Sequence, residues 1–245
     1  MTPAWTPQRA AKIAGAAYLL TYAPVYSWLF VYPKLIVAGD VARTASNIMA
    51  HVQLFRLTIV LDLLTVAGCV ILNIALFELV APVHRSLARL AAFWRLTEQA
   101  VYGAITVCKF AVLSVLGGAA YLQVFEPGQV QALARLFMTA NSYGFWIAMW
   151  FLALGSTIYC YLLFRSRYIP RALALSCVVA STLAVFGILA WFLFPASVGA
   201  TVAAVRALPP AALVLLAIVF APLLAFELTL GLWLLVKGVR VPEYT

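Results

Sequence analysis

The stretch HVQLFRLTIVLDLLTVAGCVILNIALFELVAPVHRSLARLAAFWRLTEQAVYGAITVCK, running from His51 to Lys109, decides how the chain is read. It holds two long apolar segments joined by a short basic turn at Pro82-Val83-His84-Arg85. Inside those segments stand Arg56, Asp62, Arg95, Glu98 and Lys109. A membrane-spanning helix needs about 20 predominantly apolar residues, and each segment exceeds that. A charge at the centre of a bilayer costs about 3 kcal/mol or more, so an ionisable residue there points to a partner or a function.

The rest of the chain has the same character. Of its 245 residues 66% are hydrophobic and 9% charged, with a mean hydropathy of +1.06, whereas soluble domains average about 25% charged residues. So much apolar surface does not fit inside one soluble core. The sequence predicts an all-α, polytopic membrane bundle, a single integral domain over residues 1–245, with the lipid bilayer as its first partner. Six segments qualify as spans, at roughly 12–32, 53–80, 87–117, 142–164, 172–194 and 211–236. The first is read as a retained helix, because its apolar run reaches Trp28–Tyr32 with no small-x-small cleavage pattern after it. Pro24 and Pro222 each remove a backbone hydrogen bond and are expected to kink their helices.

The net charge of +9 is not a nucleic-acid footprint, since the basic residues stand in small clusters at the ends of apolar segments. One side of the membrane receives Arg9, Lys12, Arg85, Arg89, Arg165, Arg167, Arg171, Lys237 and Arg240, and the other Lys34, Arg43, Arg135 and Arg206. That asymmetry places both termini in the cytoplasm of a cell whose inner membrane holds the protein. The two cytoplasmic turns are short, while the three outer connections are long and each has helical periodicity. Short amphipathic helices are expected in all three: one capped by Asp40 and running to His51, one after Pro127-Gly128 over 128–140, and a weaker one over Val198–Leu208. The first two are expected to lie over the bundle as a lid.

Depth counted along each helix at 1.5 Å per residue sorts the charges into two layers. Asp62, Cys69 and Asn73 share one face of the second segment, and Glu98, Tyr102 and Lys109 one face of the third, with Arg95 a turn below Glu98. The outer layer contains Asp62 and Lys109 with Arg56 above them. The inner contains Asn73, Arg95, Glu98 and, from the sixth segment, Glu227. Three cations face three anions, as burial requires. Candidate catalytic residues are Glu98, Glu227 and Asp62; candidate ligand contacts are Arg95, Asn73, Tyr102, Arg56, Lys109 and Tyr22. The plain alternative is that these are ion pairs holding helices in register, and Arg56 could simply snorkel outward.

The four cysteines, Cys69, Cys108, Cys160 and Cys177, lie within apolar segments without a CxxC pair and are expected to be packing residues, neither disulfide-bonded nor metal-bound. His51 and His84 fall on opposite sides of the membrane and cannot share a metal. Phosphate loops, nucleophile elbows and HExxH motifs are absent, so neither metal nor cofactor is expected. Three readings stay open. The protein binds or moves a small amphipathic or lipid-like molecule, with Arg95 as anion anchor and the two glutamates as proton or cation sites. It is a membrane-embedded enzyme doing proton chemistry on a lipid or isoprenoid. Or it is a structural subunit. The oligomeric state is open as well.

Ala11-Lys12-Ile13-Ala14-Gly15, Leu54-Phe55-Arg56-Leu57, Ala91-Ala92-Phe93-Trp94-Arg95-Leu96, Tyr168-Ile169-Pro170-Arg171, Glu227-Leu228 and Trp233-Leu234-Leu235-Val236-Lys237-Gly238-Val239 follow one another in an order that resembles the bacterial membrane family named domain of unknown function 4386. The resemblance covers nearly the whole chain and implies six helices without supplying a reaction. Members of that family often carry a histidine in the fourth helix near the position held here by Gly155, so any role it has there is lost or altered in this chain.

Overall fold

The computed structural model describes residues 5–118, 124–193 and 225–239, and the described residues are helical almost throughout. The first membrane-length stretch, Pro7–Leu35, comes in pieces: α1 (Pro7–Leu20), α2 (Ala23–Tyr26), a π-turn over Ser27–Val31 and α3 (Tyr32–Leu35). The break falls at Thr21 and Tyr22, immediately before Pro24, because a proline in the first turn of α2 offers no N–H to continue the ladder. Next come α4 (Val41–Ala50), α5 (Val52–Val80), α6 (Arg85–Leu116), α7 (Pro127–Ser166), α8 (Arg171–Leu193) and α9 (Ala225–Val236). Five of these stretches, Pro7–Leu35, α5, α6, α7 and α8, are long and apolar enough to cross a membrane, while α9 is shorter. Of the expected sixth span only this C-terminal part is described. Pro222, the rest of 211–224 and the third outer connection, Val198–Leu208, lie outside the described residues.

What faces out and what faces in follows the pattern of a membrane-embedded protein. Val60, Leu64, Ile74, Phe93, Val107 and Phe186 are exposed, while Asp62, Asn73, Arg95, Glu98, Gln99 and Lys109 are buried. In water this distribution would waste the hydrophobic effect twice, by wetting apolar surface and by desolvating charge.

Small residues let the helices approach. A Cβ on Gly15 would stand 2.5 Å from the Leu235 nitrogen and 2.7 Å from the Gly231 oxygen, so the backbones of α1 and α9 touch there. A side chain on either glycine would prise the first and last helices apart. Below that contact, the Gln8 side-chain amide donates to the Val239 carbonyl (2.7 Å) and accepts from the Val239 N–H (3.2 Å). Trp5, Val83, Ile169 and Val239 belong to the same apolar cluster, so the start of α1, the residues just after α9 and the two short turns meet at one end of the bundle.

At the opposite end α4 is capped by Asp40, whose carboxylate accepts from the Arg43 N–H at 2.8 Å. Its buried Ile48 packs with Leu35, Phe55, Val112 and Ala134. The expected separate helix over 128–140 does not exist. Those residues are the first turns of α7, a continuous helix of 40 residues and about 60 Å. The reason is local. Pro127 opens the helix with a reciprocal Glu126–Gln129 capping box, and no proline follows before Ser166, so the helix runs on past the hydrocarbon thickness of about 30 Å. The overhang of α7 packs beside α4, with a cavity of about 50 Å³ between them lined by Asp40, Thr44, Gln131 and Arg135.

Candidate functional site

The two charged layers are real neighbourhoods, but they are built differently. In the outer one Lys109 of α6 pairs with Asp62 of α5, both about 5% exposed. The second Asp62 oxygen accepts from the Tyr102 hydroxyl at 3.0 Å. The Lys109 ammonium also reaches Thr58 Oγ1 at 3.4 Å and stands 5.5 Å above the Tyr32 ring. One acid meets one base, and each has further polar or aromatic partners. Arg56 is not among them: it is exposed on another face of α5. Six residues before Asp62 is about 240° around the helix, so sharing a segment did not mean sharing a face, and the expected three-against-three arrangement does not form.

In the inner layer Arg95 and Glu98, one turn apart on α6, meet at 2.9 Å with 3% and 2% exposure. Their atoms are close without an aligned hydrogen bond. Gln99, the next residue on α6, is 3% exposed, and its Oε1 is buried without a partner. Glu227 of α9 is half-buried and interacts electrostatically with Arg95, as do Tyr18 and Tyr22 with Glu227. Arg95 and Glu227 line one cavity of about 10 Å³ with Tyr18, Ser156, Tyr159 and Cys160, room for about one water molecule. Arg95 therefore pairs with Glu98 and shares a cavity wall with Glu227.

Arg95 owes its position to Gly155. A Cβ there would lie 2.7 Å from Arg95 Cγ, 3.0 Å from Cδ and 3.1 Å from the Ala91 oxygen. The missing side chain is the seat for the arginine stem. A histidine at this position would occupy the space that Arg95 fills.

Asn73 belongs to the framework around the site. Its amide donates to the Ala92 carbonyl (3.0 Å) and its oxygen accepts from the Tyr159 hydroxyl (2.7 Å), tying α5 to α6 and α7. Gln99, Ser156 and Tyr159 were missed by reading charges alone. Gln99 carried a usable signal, being a long amide next to Glu98 on the same inward arc. Cys160 and Cys177 are joined in a disulfide, Cα to Cα 5.8 Å, against the expectation of free thiols. They sit six residues before the end of α7 at Ser166 and six after the start of α8 at Arg171. An antiparallel hairpin brings such mirror positions together. His51 and His84 stand at opposite ends of α5.

A helical bundle with charges inside and apolar side chains outside, and with five membrane-length helices, is that of a membrane-embedded protein. The family described as Domain of unknown function (DUF4386) matches residues 13–238, and the chain belongs to it. No curated protein and no solved structure matches the chain.

Proposed function

We propose that this is a multi-pass protein of the bacterial inner membrane, with six spans and both termini in the cytoplasm, whose inner cluster binds a small amphipathic molecule through a cationic group that exchanges with a proton at Glu227. The topology is supported by the meeting of Gln8, Val239 and the two short turns at one end, the end that carries most of the Lys and Arg.

The observation that carries the binding reading is the charge count of the cluster: Arg95 and Glu227 line the cavity, and the Arg95 guanidinium is already paired with Glu98, which does not line it. A proton or a cation completes that balance, whereas an added anion would set three acids against one base in a poorly screened interior. Tyr18 and Tyr22 beside Glu227 suit a cation further, through their ring faces. The space for about one water marks where the polar head would sit. The apolar remainder would pack along Leu76, Leu163 and Phe226 of the same wall once a helix yields.

Equilibrium dialysis with tetraphenylphosphonium, a lipophilic cation, tests the reading on protein in nanodiscs. Wild type should bind and Glu227→Gln should bind at least about tenfold more weakly, the scale of one buried charge interaction. Equal binding by the two proteins, or preference for an anionic probe such as anilinonaphthalenesulfonate that Arg95→Gln abolishes, would overturn it.

A further inference from the structure

The Cys160–Cys177 bond lies in an unexpected place. On the topology proposed above, on which this inference rests, the α7–α8 turn faces the cytoplasm, a compartment that keeps thiols reduced and whose rare disulfides are mostly catalytic or redox-sensing. Both cysteines are buried, at 3% and 1% exposure, and each sits six residues inside a membrane-length helix, about 9 Å from its end. Sulfur so placed is reached only when α7 and α8 part, and at that depth the reagent dissolved in the surrounding hydrocarbon is an apolar oxidant, not a charged, water-soluble thiol or disulfide. Both cysteines also line the cavity that holds Arg95 and Glu227.

We propose that Cys160 and Cys177 form a reversible thiol–disulfide couple in the wall of the inner cavity, oxidised by a lipid-soluble quinone. In the forward step the two thiols lose two electrons and two protons as the S–S bond forms. The quinone takes both electrons and both protons and leaves as the hydroquinone. In reverse the disulfide takes two electrons and two protons from a hydroquinone or a small apolar dithiol. The bond ties α7 to α8 beside the cavity, so the oxidised form holds the wall closed and the dithiol form frees α8 to move from it.

The test counts thiols and hydroquinone and needs no ligand for the inner site, so its outcome is separate from that of the cation-binding experiment. Full-length protein in nanodiscs is reduced with tris(2-carboxyethyl)phosphine, desalted without oxygen and mixed with decylubiquinone. It is then denatured and alkylated with a maleimide that shifts its mobility. The chain has four cysteines, of which Cys69 and Cys108 are free. Alkylatable thiols should fall from four to two, with one hydroquinone formed per bond closed, and Cys177→Ser should keep all its thiols and form none. The proposal is overturned if four thiols persist with the quinone while copper–phenanthroline closes the pair, or if neither oxidant closes it. It is equally overturned if the reductant never opens the bond, which would make it a permanent cross-link.

Discussion

The outer and inner ion pairs are chemically alike and differ in what surrounds them. At the outer level Asp62 and Lys109 come from two helices, one acid to one base, with Tyr102, Thr58 and Tyr32 taking up their remaining bonding capacity. At the inner level Arg95 and Glu98 come from one helix and meet without hydrogen-bond alignment. They share their neighbourhood with a second carboxylate and a water-sized space. A saturated pair has nothing left to offer a ligand and acts as a rivet between α5 and α6. An unsaturated cluster with surplus charge can take a further partner. The lesson is that bonding capacity, more than burial, separates framework from site.

The sharpest way to break this comparison is at the rivet. Lys109→Met leaves the Asp62 carboxylate buried without its cation and should cost about 3–5 kcal/mol, while Lys109→Met with Asp62→Leu should recover most of it. Denaturant titration in mild detergent reads both. A small single-mutant effect would mean that the outer pair is no rivet.

Next in size is Gly155→Ala. The added methyl meets the middle of the Arg95 side chain at 2.7 Å, so either the arginine or the α6–α7 packing must give, at about 1–3 kcal/mol. Tetraphenylphosphonium binding should fall with it. A variant as stable and as competent as wild type would remove Gly155 as the seat of Arg95.

Glu227→Gln should change stability by less than about 1 kcal/mol, because it removes surplus charge from a cluster that keeps Arg95–Glu98, even as cation binding is lost. Smallest of all is Arg56→Gln. The side chain is exposed, and a change within about 0.5 kcal/mol is expected; a larger loss would return Arg56 to the outer layer.

Much of this frame was legible in the sequence. Apolar run length set the limits of α5, α6 and α8 to within about two residues, a scale at which helix ends blur anyway. The heptad-like spacing of Asp62, Cys69 and Asn73 put them on one inward arc. The inner cluster drew on a helix far along the chain, yet depth counting paired Glu227 with Arg95 because the two helices run antiparallel. Four features stayed hidden. The continuity of α7 depended on the absence of a breaker between 128–140 and 142–164, which the sequence reading takes as two elements. The exposure of Arg56 depended on helix rotation, which depth alone does not give. The cysteine pair required knowing which helices form a hairpin, and the seat at Gly155 required knowing which side chain lies across it. These last two are contacts between elements, and no single segment carries them.

The central claim is that Arg95 and Glu227, on helices far apart in sequence, belong to one charge-coupled site. A double-mutant cycle measures that directly. Arg95→Ala alone should destabilise the protein, by leaving two carboxylates with no cation, and Glu227→Gln added to it should restore part of the loss. The coupling should be at least about 0.5 kcal/mol, above what distant independent sites show, and tetraphenylphosphonium binding should stay weak in the double variant, which lacks the Glu227 carboxylate. Strict additivity of the two substitutions would contradict the account, and so would wild-type binding by the double variant.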